Sequence, residues 1–230
     1  IACGAGEVFI CAGVESMSRV PMTGFNPLPN PALAARSAAY LGMGETAENV
    51  AKKYGLSRVA QEAFALASQS KTAAAIAAGR FTDEIVPVET PSGLVAADGT
   101  PRPETTAEAL ASLKLAFDQN GSVTAGTSSP LTDGAAAVLV TSASYAKANG
   151  LAVLARIKSM GISGCAPEIM GIGPVEASRK ALARAGLTMA DIDIVELKEA
   201  FSSQSLAVIA DLEIPPEKII DDLKKSALRG

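Results

Sequence analysis

The segment from 122 to 137, SVTAGTSSPLTDGAAA, carries the residues best suited to holding a ligand. Its small side chains let a ligand approach the backbone closely, and Gly126 and Gly134 permit backbone angles that other residues resist. The hydroxyls of Ser128 and Ser129 can donate or accept hydrogen bonds. Because the segment runs directly into the apolar stretch AAAVLV, it predicts a ligand-contacting loop that leads into a strand.

The 230-residue sequence contains no His. It therefore cannot supply a Ser-His or Cys-His pair, an imidazole base or a His-ligated metal, so acid–base chemistry would fall to carboxylates, Lys, Tyr or Cys. Its three cysteines, Cys3, Cys11 and Cys165, lack metal-ligand spacing, which predicts a reducing, cytoplasmic location and no metal site. We expect each cysteine to be a small buried hydrophobic residue.

Composition narrows the class of protein further. The chain is 48% hydrophobic and 19% charged, which is typical of a globular fold. Its net charge of −4 argues against a nucleic-acid partner, which would need a basic surface. We expect no membrane span and no signal peptide, and the missing initiator Met predicts a natural start upstream of Ile1.

The first half of the chain is mainly helical by pattern. We expect a short buried strand over 7–12, a helix over 45–54, and a helix over 57–78 with Ser57 as N-cap and Gly79 as its stop. The following residues 81–89 favour an extended segment, and 90–108, which is polar and rich in proline, favours a loop.

Strands and helices alternate in the second half. The strands are expected over 135–142, 151–163 and 191–197, and the helices over 143–149, over 200–212 and from Pro174 to Gly186. Alternation of this kind predicts a layered α/β fold. The helical block 17–119 does not fit it and is best explained as an insertion between two strands.

Four segments together carry a family resemblance: CAGVESMSR (11–19), MGETAENVAKKYGLSR (43–58), MGIGPVEASRKALARAGL (170–187) and the serine-rich segment above. With these motifs the chain resembles a thiolase, an enzyme that exchanges acyl groups between coenzyme A and a carbon nucleophile. The resemblance implies two similar α/β halves, with a helical loop domain inserted in the first. It places the first half at 1–16 and 120–147, the coenzyme A-binding loop domain at 17–119, and part of the second half at 148–230.

The resemblance also implies which chemistry the family uses. Thiolases carry a nucleophilic Cys, a second Cys as acid and base, and a His and an Asn-held water that stabilise the thioester oxyanion. We expect the nucleophile upstream of Ile1 and find no family counterpart for 219–230, so the chain looks like a central fragment lacking both ends. Lys198 stands at the family's Asn position, in Lys-Glu-Ala-Phe. We expect the chain as given to be inactive.

The coenzyme A side of the family site is better represented. By motif match, the resemblance implies contacts to the adenine, phosphates and pantetheine arm from Arg102, Phe117, Ala125, Ser128, Ser129 and Leu131, and from Phe201. Met43 and Met170 match two methionines that wall the acyl channel. Pro130 replaces a family Gly and removes a backbone donor from this loop.

Several functional alternatives remain open at this point. The resemblance implies 3-ketoacyl-CoA thiolysis or acetoacetyl-CoA formation, no permanently bound cofactor, acyl-CoA as substrate, and a homodimer or homotetramer in fatty acid metabolism. A degenerate, non-catalytic coenzyme A-binding or oligomerisation module is the main rival. A third possibility is a structural remnant whose uncovered strands, such as AAAVLV, would aggregate. We expect four carboxylates to lie at helix ends or on the surface: Glu45, Glu48, Glu196 and Glu199.

Overall fold

The structure is a computed structural model that describes residues 1–221. The chain divides into two compact units, each assembled from separate segments. The first unit combines Ile1–Leu28 with Leu131–Lys158, and the second combines Pro29–Pro130 with the residues from Ser159 onward. These units and the predicted domains divide the chain at different residues, so the predicted domain boundaries stay a prediction.

Regular structure covers much of the described chain. Its α-helices are α1 (Pro31–Ala34), α2 (Met43–Tyr54), α3 (Arg58–Ala77), α4 (Ala107–Ala111), α5 (Ala143–Ala148), α6 (Gly173–Ala185) and α7 (Ser202–Asp211). Its strands are β1 (Val8–Glu15), β2 (Val88–Thr90), β3 (Gly93–Val95), β4 (Gly134–Thr141), β5 (Val195–Leu197) and β6 (Ile219–Asp221). Short 3₁₀ turns lie at Ala125–Thr127, Pro167–Ile172, Met189–Asp191 and Pro216–Lys218.

The first unit is built on one antiparallel ladder between β1 and β4. Asp133 fastens one end of the ladder, because its carboxylate accepts hydrogen bonds from the Ser18 backbone N (2.8 Å) and hydroxyl (2.5 Å). Both predicted strands are confirmed, but the predicted burial of the first is wrong. Ile10 and Val14 are 79% and 83% exposed, since a two-stranded ladder leaves apolar side chains uncovered within this unit.

Two extended segments expected from the sequence differ in the structure. Residues 151–163 are irregular rather than a strand, because an apolar run forms a strand only where a neighbouring strand accepts its hydrogen bonds. Within 81–89, residues 81–84 form a turn and the strand β2 begins only at Val88. The expected loop 90–108 contains the short strand β3 and the first residues of α4.

The helix boundaries of the second unit follow from local signals. The hydroxyl of Ser57 accepts a hydrogen bond from the Ala60 backbone N at 3.2 Å, and Gly79 leaves α3 with a φ of +67°. Pro174 lies in the first turn of α6, where a missing N–H costs nothing, and Gly186 ends that helix in the left-handed region. The predicted N-cap and stops are therefore confirmed.

The core of the second unit is partly apolar and partly polar. Its apolar cluster is formed by Val175, Val208, Leu212, Ile214 and Ile219. The strands β5 and β6 pair in parallel, and α7 provides the crossover that a parallel pair needs. The helix α7 packs on α2 and α3, and it buries hydroxyl and amide groups as well as Ala207 and Val208.

The expected burial of the cysteines is wrong, since Cys3, Cys11 and Cys165 are exposed free thiols. Small apolar residues are buried only where another element packs over them, and Cys11 lies on the open ladder of β1. Among the described residues, no helix combines the length and apolar character that crossing a bilayer requires. Over the same residues, no group of three or more His, Cys, Asp or Glu side chains is placed to hold a metal ion.

Candidate active site

An aromatic pair joins two of the predicted site residues. The rings of Phe117 and Phe201 meet edge-on, with 5.9 Å between their centroids and 81° between their planes. The Phe117 ring also lies directly over Gly44 in the first turn of α2, where an added Cβ would collide with it. Phe117 remains 46% exposed, so the pair offers apolar surface that a ligand can cover.

The serine-rich segment is attached to the start of α7. The Ser129 backbone N donates to the Ala200 carbonyl at 2.9 Å, and Ser128 pairs with Phe201 in an isolated antiparallel bridge. The Ser128 hydroxyl donates to the Thr124 carbonyl at 2.7 Å, which uses its proton within the turn. Ser129 and Ala125 are exposed beside this bridge, which joins the serines to the Lys-Glu-Ala-Phe motif.

The two methionines predicted to line the acyl channel lie on different elements of the second unit. Met43 begins α2 and is 47% exposed, while Met170 lies in the 3₁₀ turn before α6 and is 45% exposed. The turn that holds Met170 is fixed to α2, because the Asn49 side chain donates to the Glu168 carbonyl at 3.0 Å. Gly171 in the same turn packs against the Gln204 side chain of α7. Half-exposed thioethers at these places suit a channel wall.

Arg102 lies on an exposed loop of the second unit. The Arg102 guanidinium folds back on its own loop, where Nη1 donates to the carbonyls of Gly99 (3.0 Å) and Thr100 (2.9 Å). Its backbone N donates to the Gln69 side chain at 2.8 Å, which ties this loop to α3. Leu131 belongs to the first unit and is 66% exposed. An exposed guanidinium on an anchored loop can still meet a phosphate.

Lys198 is exposed at the end of β5, three residues before Phe201. Next to it, Glu199 accepts a hydrogen bond from the Ser202 hydroxyl at 2.9 Å, at the first turn of α7. An ammonium group only donates hydrogen bonds and carries charge, whereas an amide both donates and accepts. Lys198 therefore cannot hold a water molecule in the way that the family's Asn does.

Glu48 is the site-supporting residue that sequence reasoning missed. It was expected at a helix end or on the surface, but it is only 9% exposed and faces inward from α2. Its carboxylate accepts hydrogen bonds from the backbone N of Ser122 (2.9 Å) and of Val123 (2.8 Å). The sequence signal was its helical spacing, four residues after Gly44 and three before Ala51 on the face of α2 that is buried. By contrast, Glu45 caps α2 as expected, accepting from the Gly42 backbone N at 2.9 Å.

A partly buried tyrosine shows how closely α2 and α7 pack. The Tyr54 hydroxyl donates to the Asp211 carboxylate at 2.6 Å. Burial raises the pKa of Tyr54 to about 12, and the hydrogen bond and negative charge of Asp211 add to that effect. The phenol is therefore protonated and fixed at neutral pH, so it serves to join the helices rather than to transfer protons.

An apolar cavity lies elsewhere in the second unit. It has a volume of about 480 Å³ and is lined mainly by apolar side chains at the end of α3, including Ile76, Phe81 and Ile85. None of the predicted coenzyme A contacts lines it, and its charged residues are Glu84 and Asp98. Carboxylates would repel the phosphates of coenzyme A, so we place the candidate site at the aromatic pair instead.

Two family models match the chain, one over each part of it. The family model described as Thiolase, N-terminal domain, matches residues 1–144, and the model described as Thiolase, C-terminal domain, matches residues 151–221. The chain belongs to the thiolase family. The prediction that 219–230 has no family counterpart is wrong for Ile219–Asp221, and its remainder lies outside the described residues.

Individual relatives support the same assignment. The chain is 48% identical over 230 residues to a 3-ketoacyl-CoA thiolase of Bacillus subtilis (strain 168), covering 94% of this chain and 59% of the relative. Its fold resembles the dimeric peroxisomal thiolase of Saccharomyces cerevisiae, with a TM-score of 0.88 and 39% identity over 94% of this chain and 57% of that one. The predicted layered α/β fold is thereby confirmed.

A ligand-bound structure is also similar. Human mitochondrial 3-ketoacyl-CoA thiolase in complex with CoA matches with a TM-score of 0.82 and 38% identity, over 96% of this chain and 59% of that chain. The chain thus spans less than two thirds of the length of the relatives it matches.

Proposed function

We propose that the protein acts as a thiolase-type acyltransferase, in which this chain supplies the surface that binds coenzyme A. The reaction would be 3-ketoacyl-CoA thiolysis or acetoacetyl-CoA formation, with acyl-CoA as substrate and no permanently bound cofactor. The observation that carries the proposal is the junction of Phe117, Phe201 and the 125–129 segment. It presents apolar surface beside exposed hydroxyl and backbone groups.

The chemistry of coenzyme A fits this junction. The pantetheine arm is a flexible chain with two amides and a thiol, so it needs an apolar surface with a few hydrogen-bonding groups. The exposed Ser129 hydroxyl and the half-exposed Met43 and Met170 offer those features. Arg102 would bind the phosphates, because a guanidinium forms strong charge-assisted hydrogen bonds. Ala125 would add a small apolar contact, and a contact from Leu131 is implied by the family resemblance alone.

Assembly and location follow as further proposals. The similarity to a dimeric thiolase supports a homodimer of the whole protein. The family resemblance alone suggests the alternative of a homotetramer, and the net charge of −4 favours the absence of a nucleic-acid partner. The exposed free thiols are typical of a reducing compartment, which supports the cytoplasm. We also propose that the loop domain 17–119 is the coenzyme A-binding portion.

Titration calorimetry with coenzyme A tests the proposal. We expect Arg102→Ala and Ser129→Ala each to weaken binding, Arg102→Ala by about tenfold because it removes a charge-assisted contact. Arg80→Ala and Ser70→Ala, which alter exposed residues of the same types, serve as matched controls. Affinity that is the same in all four variants and in the unaltered chain would contradict the assignment.

A non-catalytic coenzyme A-binding module is the second candidate. Lys198 at the family's Asn position and the absence of His from the 230 residues favour it. Both candidates bind coenzyme A at the same junction, so only a measurement of acyl-CoA turnover by the whole protein separates them.

A further inference from the structure

We infer that Glu48 is a positioning residue for coenzyme A binding: its buried carboxylate fixes the hairpin that carries the pantetheine-facing groups. We call residues 115–129 the site hairpin. The inference rests on the proposed function, because it concerns the same ligand. It assigns a role to a residue that would not itself touch the ligand.

Both carboxylate oxygens of Glu48 are used at the tip of the site hairpin. Oε1 accepts from the Val123 N at 2.8 Å and the Ser122 N at 3.0 Å, and Oε2 accepts from the same Ser122 N at 2.9 Å and the Ser122 hydroxyl at 3.3 Å. The Gln61 side chain, which is fully buried, donates to the same hydroxyl at 2.9 Å. The hairpin tip is therefore held by two helices, α2 and α3.

The tip of the site hairpin also packs closely against the Glu48 carboxylate. Gly121 lies against the Glu48 carboxylate so closely that an added Cβ would collide with it. The arms of the hairpin are joined by the Ala116 N, which donates to the Val123 carbonyl at 3.0 Å, and by a bridge between Leu115 and Thr124. A shift of the tip must therefore move both arms.

The two arms carry the ligand-facing groups. One arm presents Phe117, and the other presents Ala125, Ser128 and Ser129, which attach to Ala200 and Phe201. Arg102 lies outside the hairpin, on a loop tied to α3 through Gln69. Loss of the Glu48 contacts should therefore disturb the pantetheine side of the site and spare the nucleotide side.

This difference between the two sides gives the test. Glu48→Gln keeps one acceptor oxygen but replaces the other, which accepts from the Ser122 N–H and hydroxyl, with an NH₂ donor, so donors then face each other at Ser122. We expect the affinity for coenzyme A to fall about tenfold, while that for adenosine 3′,5′-bisphosphate stays within about twofold. Glu217→Gln, at an exposed carboxylate of the same unit, is the matched control.

Hydrogen exchange followed by mass spectrometry supplies an independent measurement. We expect faster amide exchange in 118–129 of Glu48→Gln, with exchange in α6 unchanged. Gly121→Ala, which crowds the Glu48 carboxylate, should have the same effect. Because both changes disturb one contact, the double variant of Glu48→Gln and Gly121→Ala should lose no more affinity than the single variant that binds more weakly. Ser122→Ala, which removes only the hydroxyl contacts, is the milder variant should Glu48→Gln unfold, and it should loosen the same residues.

Unchanged affinity and exchange in Glu48→Gln would overturn the inference. A parallel fall of both affinities together with the melting temperature would also overturn it, because that pattern indicates a purely structural role. If the unaltered chain binds neither probe, the proposed function fails first and the inference falls with it. If the unaltered chain binds coenzyme A and Glu48→Gln binds it equally well, the inference fails alone.

Discussion

Phe117 and Phe201 approach each other edge-on at 5.9 Å, although they are far apart in the chain. Phe117 belongs to the site hairpin, and Phe201 is the residue just before α7. Their contact, with the Ser129–Ala200 hydrogen bond of 2.9 Å, closes the hairpin onto the start of that helix. The residues that we assign to ligand binding thus also hold this part of the fold together.

Gly44 should not tolerate a side chain. Gly44→Ala places a methyl group against the Phe117 ring, and overpacking of this kind costs about 1–3 kcal/mol of unfolding free energy. Urea denaturation measures the change. Gly164→Ala is the control, because open space surrounds the added methyl there, and equal stabilities of the two variants would show that the ring moves away freely.

Tyr54 should ionise only in strongly alkaline solution. Burial and Asp211 raise its pKa from 10.0 to about 12, so the protonated phenol favours the folded state. Its contribution to stability is complete below pH 10 and is lost as pH rises toward 12. Absorbance at the phenolate band, recorded during alkaline titration, should show a component near pH 12 that Tyr54→Phe lacks. If Tyr54→Phe instead loses absorbance change near pH 10, the prediction is wrong.

Asp133 should give the first unit an acid-sensitive contact. Hydrogen bonds from the Ser18 hydroxyl and backbone N lower the pKa of Asp133 below its usual 3.8. The ionised carboxylate therefore stabilises the fold above that usual pKa, and the contribution disappears as pH falls through the lower folded value. Asp133→Asn should speed amide exchange at Ser18 at neutral pH, and this difference should vanish in acid. Glu15→Gln, on the neighbouring strand end, is a comparison variant.

The purified 230-residue chain should not turn over acetoacetyl-CoA. It contains no His to stabilise the thioester oxyanion, and Lys198 replaces the family's Asn. Coenzyme A-dependent loss of the acetoacetyl-CoA absorbance is the assay. Lys198→Asn should remain equally inactive, since it restores only one of the several catalytic groups that the family uses. Measurable cleavage of acetoacetyl-CoA by either protein would disprove the prediction.

Elements with strong local signals could be predicted from the sequence. Ser57, Gly79, Pro174 and Gly186 mark helix ends through their own backbone preferences and side-chain hydrogen bonds, so no distant contact is needed to read them. The contact between the serine-rich segment and the Lys-Glu-Ala-Phe motif joins residues far apart in the chain, and no local pattern indicates it.

Features that depend on distant partners could not be predicted in the same way. Residues 151–163 have the composition of a strand, yet a ladder needs a second strand at their side. Cys11 was expected to be buried, but its strand lies in an open ladder. Glu48 was expected at the surface because a carboxylate usually is, and its burial depends on backbone donors more than seventy residues away.

The Arg102 loop is tied to α3, but several other parts of the site in the second unit are each in contact with the helix α2. Gly44 supports Phe117, the Ala47 carbonyl accepts from Ser203 of α7 at 3.1 Å, Glu48 holds the hairpin tip, and Asn49 holds the turn of Met170. Sub-global opening of this one helix would therefore release all these parts at once. The ligand surface should form or melt as a single cooperative unit, so denaturant should abolish binding in one sharp transition.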